Sequence, residues 1–266
     1  MKWRGALLLG IVGALIAATL FIHRIPQSEA YHNLADQRML LGVPNCLNVV
    51  SNVLFLFVGA LGILQILLGG HGGTISFIDS RERCPWLIFF VAVASTAFGS
   101  AYYHLSPNDH TLVWDRLPMA IGFMALLAAV ISERINVAVG LWLLGPLTIV
   151  CGAGSVFWWG ITQSRGNDDL RPYALVQFGS LVVLLLILAL YPKRYTRGLD
   201  FILSFVIYGI AKVFEAADRP VYALGHIVSG HTLKHIAAAV CAYWLLRMLQ
   251  MRKLANRFRE AESEPA

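Results

Sequence analysis

Ser100 and His104 stand four residues apart near the end of one apolar stretch, and His231 and His235 stand four apart at the start of the last. Asp115 lies just inside the stretch that follows His104. Residues four apart share a helix face, so His231 and His235 can present two imidazoles to one ion, and Ser100 points the same way as His104. Three histidines plus a water are an attested ligand set for catalytic zinc. Zinc lowers the pKa of its water to about 7. A carboxylate can hold such a water and take its proton, and a hydroxyl can steady the developing oxyanion or the water. These types suit metal-assisted hydrolysis, with His104, His231 and His235 as ligands of Zn2+, Asp115 as base and Ser100 as oxyanion donor.

Each residue taken singly also fits a plainer role. An H-x3-H pair on a helix often binds nothing. His104 suits an interfacial histidine, and Asp115 suits an ion pair with Arg116, although adjacent helix positions do not face each other. Ser100 suits a small packing residue in the run Gly99-Ser100-Ala101. What favours a site is the set: several ionisable groups at one depth of a bilayer, where each is expensive. His226 falls off the His231/His235 face and reads as a loop or supporting residue. Lys212 and Glu215, three apart, read as an intramembrane ion pair, with Lys234 directed toward Glu215 or Asp218. Asn45, Asn48, Ser51 and Asn52 read as capping and polar packing, with a lesser claim to line the site. Histidines 23, 32, 71 and 110 read as surface-loop residues.

The elements that must position this set are membrane helices. The chain has 266 residues, 58% hydrophobic and 14% charged, where a soluble domain carries roughly a quarter charged residues. The net charge of +6 does not point to nucleic acid, because the basic residues gather at segment ends, where topology uses them. Cys46, Cys84, Cys151 and Cys241 are scattered without a C-x-x-C pair, so free buried thiols are expected. A bilayer span needs about 20 apolar residues, and eight stretches qualify: 5–22, 46–69, 85–104, 111–131, 137–157, 171–191, 198–216 and 231–250. The expected fold is therefore an all-α polytopic membrane protein. A signal peptide or anchor helix occupies 1–30, with Ser28-Glu29-Ala30 as the small-residue cleavage option. A seven-helix domain occupies 31–250, and a charged tail, frayed or forming a short surface helix, occupies 251–266.

Positive residues prefer cytoplasmic loops. Arg81, Arg83, Arg134, Lys193, Arg194, Arg197 and the tail form the more basic side, so the C-terminus is expected in the cytoplasm. Counting crossings brings His104, Asp115 and His231 to the opposite, non-cytoplasmic side.

Gly99-Ser100-Ala101-Tyr102-Tyr103-His104, Asp115-Arg116-Leu117-Pro118-Met119 and Ser229-Gly230-His231-Thr232-Leu233-Lys234-His235, in this order across residues 45–250, resemble the alkaline ceramidase family. That family shares a superfamily with the adiponectin and progestin receptors, and Asn48-Val49-Val50-Ser51-Asn52 also resembles the start of its first helix. The resemblance implies a zinc amidohydrolase that cleaves a ceramide-like lipid into a sphingoid base and a fatty acid. It implies His104, His231 and His235 as zinc ligands, Asp115 as the group that orients and deprotonates water, and Ser100 as oxyanion support. The chain departs from the family's eukaryotic pattern in two places. Tyr31 to Asn45 offers only Asp36 in place of an acidic calcium-binding cluster, which weakens the case for calcium and for ceramide itself. The N-terminal apolar segment is additional.

The expected partners are the bilayer and a membrane lipid substrate. The first alternative is a receptor-like or structural membrane protein with a non-catalytic zinc site; Asp115 and Ser100 beside the ligands favour hydrolysis, since a closed structural site needs no open position. The second is a haem or quinone protein, which the H-x3-H spacing on one helix fits poorly. No H-E-x-x-H is present to support a protease.

Overall fold

The computed structural model describes residues 2–69, 75 and 77–255. All eight apolar stretches are helical there. They form α1 (Lys2–Phe21), α2 (Cys46–Leu68), α3 (Arg83–Leu105), α4 (Asp109–Arg134), α5 (Val137–Ser164), α6 (Arg171–Leu190), α7 (Leu199–Ala216) and, after the short α8 (Asp218–Ala223), α9 (Gly230–Met251). No strand is present among the described residues beyond two isolated bridges. Six of these helices, α1 to α6, are long and apolar enough to cross a membrane. The other two are interrupted by charge: α7 carries Asp200, Lys212 and Glu215, and α9 carries Lys234 and Arg247 with two histidines.

The most enclosed helix is α4, with 78% of its apolar span buried, whereas none of the α1 span is buried. The bundle is thus built around α4, and α1 lies outside it against α6. Small residues set the closest approaches, as expected where lipid supplies no hydrophobic drive between helices. A Cβ on Gly59 would meet the Ala94 backbone nitrogen at 2.4 Å, which fixes α2 on α3.

Asn108 starts α4 with a capping box: its side chain accepts from Thr111 N at 3.0 Å, and Asn108 N donates to Thr111 Oγ1 at 3.2 Å. In α5, Pro146 cannot donate a helical hydrogen bond, and the turns Pro146–Ala153 widen to π geometry.

A buried polar cluster closes the end of the bundle opposite the histidines. Glu133 accepts from Trp86 Nε1 at 2.8 Å and pairs with Arg252, while Glu82 accepts from Tyr195 Oη and pairs with Arg194. This is where the tail differs from its expected form. Residues 252–255 run extended, with Leu254 bridged to Tyr195, because Arg252 is drawn inward by Glu133. Residues 256–266 of the expected tail, and His71, lie outside the described residues.

The cysteines are all free, but only Cys46 is buried; Cys84 and Cys151 are exposed on helix faces. The expectation of buried thiols is corrected there, because the apolar faces of α3 and α5 that carry them point away from the core.

Candidate metal centre

The C-terminal end of α3, the N-terminal end of α4 and the N-terminal end of α9 meet at one end of the bundle. Two glycines and a proline make that meeting tight. Pro118 has no N–H to donate to Trp114 O, one helical step back, and that carbonyl instead packs on Gly99, where a Cβ would lie 2.1 Å from it. The contact sets Ser100 and His104 against the first turns of α4. On the other side, a Cβ on Gly230 would meet Phe214 O at 2.3 Å and the Asp218 Cα at 2.7 Å. Only glycine lets α9 begin so close to the end of α7.

His104, His231 and His235 converge. They are buried, their ligand-capable nitrogens lie within 4.8 Å of one another, and they can hold a metal ion. Their ring centroids are 4.8 to 4.9 Å apart, and His104 Nε2 lies 3.2 Å from His235 Nε2.

The polar groups around the histidines set their tautomers and positions. Ser51 Oγ donates to Asn48 O at 3.1 Å and lies 2.8 Å from His235 Nδ1. A hydroxyl that has spent its proton on a carbonyl must accept from Nδ1–H, which leaves the His235 Nε2 lone pair for a metal. Lys234 Nζ sits 2.7 Å from His231 Nε2. A donor there occupies the lone pair of that nitrogen, so His231 would ligate a metal only with Lys234 turned aside, and Glu215, 3.3 Å from Lys234, is placed to take it. His104 Nδ1 is buried without a hydrogen-bond partner, so the protein by itself does not satisfy this ring.

Backbone positions are fixed as well. Asn45 Nδ2 donates to His104 O at 2.8 Å at the end of α3. Ser229 caps α9 by accepting from Thr232 N at 3.1 Å. Asp218 accepts from His231 N at 2.7 Å and from Ala35 N at 2.8 Å, tying α9 to the 33–38 loop. In that loop the Arg38 guanidinium holds the Asp36 carboxyl below its usual range.

Asp115 and Ser100 are both buried, and with His235 they line a cavity of about 340 Å³. The expected alternative for Asp115, pairing with Arg116, does not occur. Arg116 turns from α4 toward Gln27, whose Oε1 lies 2.5 Å from Nη2. The Lys212–Glu215 pair is present, and Lys234 reaches Glu215 at 3.3 Å. His226 is an exposed loop residue stacked edge-on against Tyr222.

Two histidines expected on surface loops prove otherwise: His110 is exposed but lies in the first turn of α4, and the second is drawn inward. His32 is partly buried, 3.1 Å from Tyr103 Oη and 3.0 Å from Asp109 Oδ1, so the 29–33 turn closes over the end of α3. Of the α2 polar residues, Ser51 reaches a ligand histidine directly. Its signal in the sequence was the three-residue spacing from Asn48, which aligns both toward α9.

No protein-family model matches this chain, and no curated protein matches it in sequence.

Removing the Ser51 hydroxyl should loosen His235. Support of this kind is typically worth about 10- to 100-fold in metal affinity. Ser51→Ala is therefore expected to bind the metal about 10- to 100-fold more weakly in competition with a chelator, with the helical content unchanged by circular dichroism. Unaltered affinity would remove Ser51 from the centre.

Proposed function

We propose that the protein is a zinc-dependent hydrolase embedded in the membrane, cleaving the amide of ceramide or a related N-acyl lipid into a fatty acid and a sphingoid base or other amine. The observation that carries this reading is a shared cavity. The one beside His235, Asp115 and Ser100 has Phe55, Thr96, Met119, Tyr208 and Ala238 in its wall, and the same five residues also line a second, apolar space of about 120 Å³. That space runs deeper between α3, α4 and α9, past Phe89, Leu126 and Leu245. A chamber that holds His235, Asp115 and Ser100, set beside a deeper apolar space, suits an amphiphile whose acyl chain lies in that space and whose amide stops at His235.

The donor set supports zinc. Tetrahedral zinc with Zn–N bonds of about 2.0–2.1 Å puts ligand nitrogens about 3.3 Å apart, and His104 and His235 present theirs at 3.2 Å. Three imidazoles would leave a zinc ion held here one further position for water or substrate. Bound there, zinc supplies a hydroxide at neutral pH and a Lewis acid for the amide carbonyl.

Asp115 accepts the proton of the attacking water and hands it to the amide nitrogen as the C–N bond breaks. The new C–O bond stays with the fatty acid, and the amine leaves carrying the proton. Ser100 Oγ–H donates to the carbonyl oxygen as negative charge gathers on it. The apolar walls exclude bulk water, which strengthens both interactions. In this reading α2 to α7 and α9 form a seven-helix core, and α1 is an anchor or signal segment. The C-terminus is cytoplasmic and the histidines face the non-cytoplasmic side.

The test is the metal content and amidase activity of detergent-purified protein beside His231→Ala. The expected result is about one zinc per chain, hydrolysis of ceramide or another N-acyl lipid, and loss of both in the variant. A wild type that holds no zinc when the metal is supplied throughout purification would overturn the reading.

A further inference from the structure

Arg116 is a buried cation outside any ion pair among the described residues. It is 6% exposed, and among the described residues no carboxylate lies within ion-pair distance of it. Three rings hold its guanidinium: Trp159 at 4.4 Å, Tyr173 at 4.9 Å and Tyr31 at 5.6 Å. Nη2 donates to the neutral Gln27 amide oxygen, while Nη1 is buried and has no hydrogen-bond partner among the described residues. Burying a guanidinium without a counter-charge is costly. Ring faces offset part of that cost but accept no N–H in the plane of the fork.

The place of Arg116 gives its unsatisfied N–H a use. It lines the chamber with Asp115, Ser100 and His235, whereas Pro118 and Gly122, further along α4, line only the deeper apolar space. An acyl chain in that space and an amide at His235 put the amine half of the substrate in the part of the chamber walled by Arg116, Tyr31 and Lys212. The charged groups lining the chamber are Arg116, Lys212 and Lys234 against Asp115 and Glu215, three positive and two negative, an excess of one positive charge before any metal is counted.

We propose that Arg116 recognises an oxyanion on the amine half of the substrate, so that the preferred substrates are N-acyl amines carrying a carboxylate or phosphate close to the amide, such as long-chain N-acyl amino acids. This rests on the hydrolase reading given above. Arg116 lines the chamber while Nη1 itself is closed off, so the planar fork meets such a group by turning its Nη1–H toward the chamber, and the aromatic cage holds the rest of the side chain in place, so little side-chain entropy is lost. The reaction itself is unchanged: water adds to the acyl carbon, the C–N bond breaks, and the acidic amine leaves with the proton.

The experiment compares pairs that differ only in charge, using zinc-loaded full-length protein in detergent. N-palmitoylglycine is set against N-palmitoylglycinamide, and N-palmitoylethanolamine phosphate against N-palmitoylethanolamine. The expected result is a kcat/KM about 10- to 100-fold higher for at least one acidic member, the range of a charge-assisted hydrogen bond. The pair that shows it identifies carboxylate or phosphate as the source of the oxyanion. In Arg116→Gln the acidic-to-neutral ratio should fall toward one, with Arg116→Lys intermediate. Zinc content reports whether each variant is folded.

Equal turnover of charged and neutral members by the wild type would overturn the proposal, as would a ratio that Arg116→Gln leaves unmoved. If no amide is cleaved, the hydrolase reading fails, and the proposal is judged by binding alone. Tryptophan fluorescence, reporting through Trp159, should then show N-palmitoylglycine bound more tightly than its amide in an Arg116-dependent way. Equal affinities there would overturn it.

Discussion

Asp115→Asn should retain zinc and lose turnover by about 10²- to 10⁴-fold, the usual worth of a positioned general base. Asparagine has the shape of aspartate, so the packing of α4 on α3 survives, and none of the three imidazoles depends on the carboxylate for its position. His235 is oriented by Ser51, His231 by the Asp218 contact to its backbone, and His104 by Asn45 at the end of α3. What the amide group cannot do is take a proton from water and return it to a leaving amine. The informative comparison is zinc content against kcat in the same preparation. Loss of both together would make Asp115 part of the metal's support, and normal turnover with zinc retained would remove it from the chemistry. A receptor-like protein with a structural zinc site predicts no turnover in either form, so the wild-type assay separates the two functions before any variant is made.

Much of this centre could be read from residue spacing, for a definite reason. His231/His235 and Ser100/His104 are each one helical turn apart, and a helical period converts that spacing directly into a shared face. Asp115 joined them because a linker as short as 106–108 forces α3 and α4 to return at the same end. The apolar runs likewise fell where the helices are: α3, α4, α5 and α9 extend beyond them, α4 from its Asn108 cap, while α2, α6 and α7 stop or start one residue short and α1 begins earlier but ends one residue short.

What escaped the sequence was set by contacts that have no period. Ser51 meets His235 across 184 positions of chain. His32 meets Tyr103 and Asp109 through an irregular turn. Arg116 leaves Asp115 because consecutive helix residues diverge by about 100°, and the destination of its side chain depends on aromatic residues from α5 and α6. The widened turns of α5 were equally hidden: Pro146 announces a disturbed helix, but not whether it kinks or expands. The same holds for the tail, where Arg252 reads as one more basic residue past a helix end until Glu133 is seen opposite it.

That pair carries the largest expected effect on stability. Arg252 and Glu133 are 3% and 2% exposed, and each has a neighbour suited to it. Glu133 also accepts from Trp86 Nε1, and the Arg252 guanidinium lies 3.9 Å from the Tyr195 ring centroid. Arg252→Ala removes the cation and leaves a desolvated carboxylate, a change that typically costs about 3–5 kcal/mol. The variant should therefore unfold at clearly lower denaturant or temperature in micelles than the wild type, whereas Arg247→Ala, on an exposed face of α9 just before it, should not.

Adding Glu133→Gln to Arg252→Ala should recover part of the loss, because the stranded charge is gone. A double-mutant cycle should return a coupling of about 0.5–3 kcal/mol. Strict additivity would mean that the two side chains contribute only packing. Zinc content should persist in all of these variants when they are kept below their unfolding transitions, since the cluster and the histidines occupy opposite ends of α3 and α4. If the metal were lost along with the Arg252 side chain in protein that remained folded, the two ends of the bundle would be coupled through α4, and the cluster would belong to the working of the site as well as to the stability of the fold.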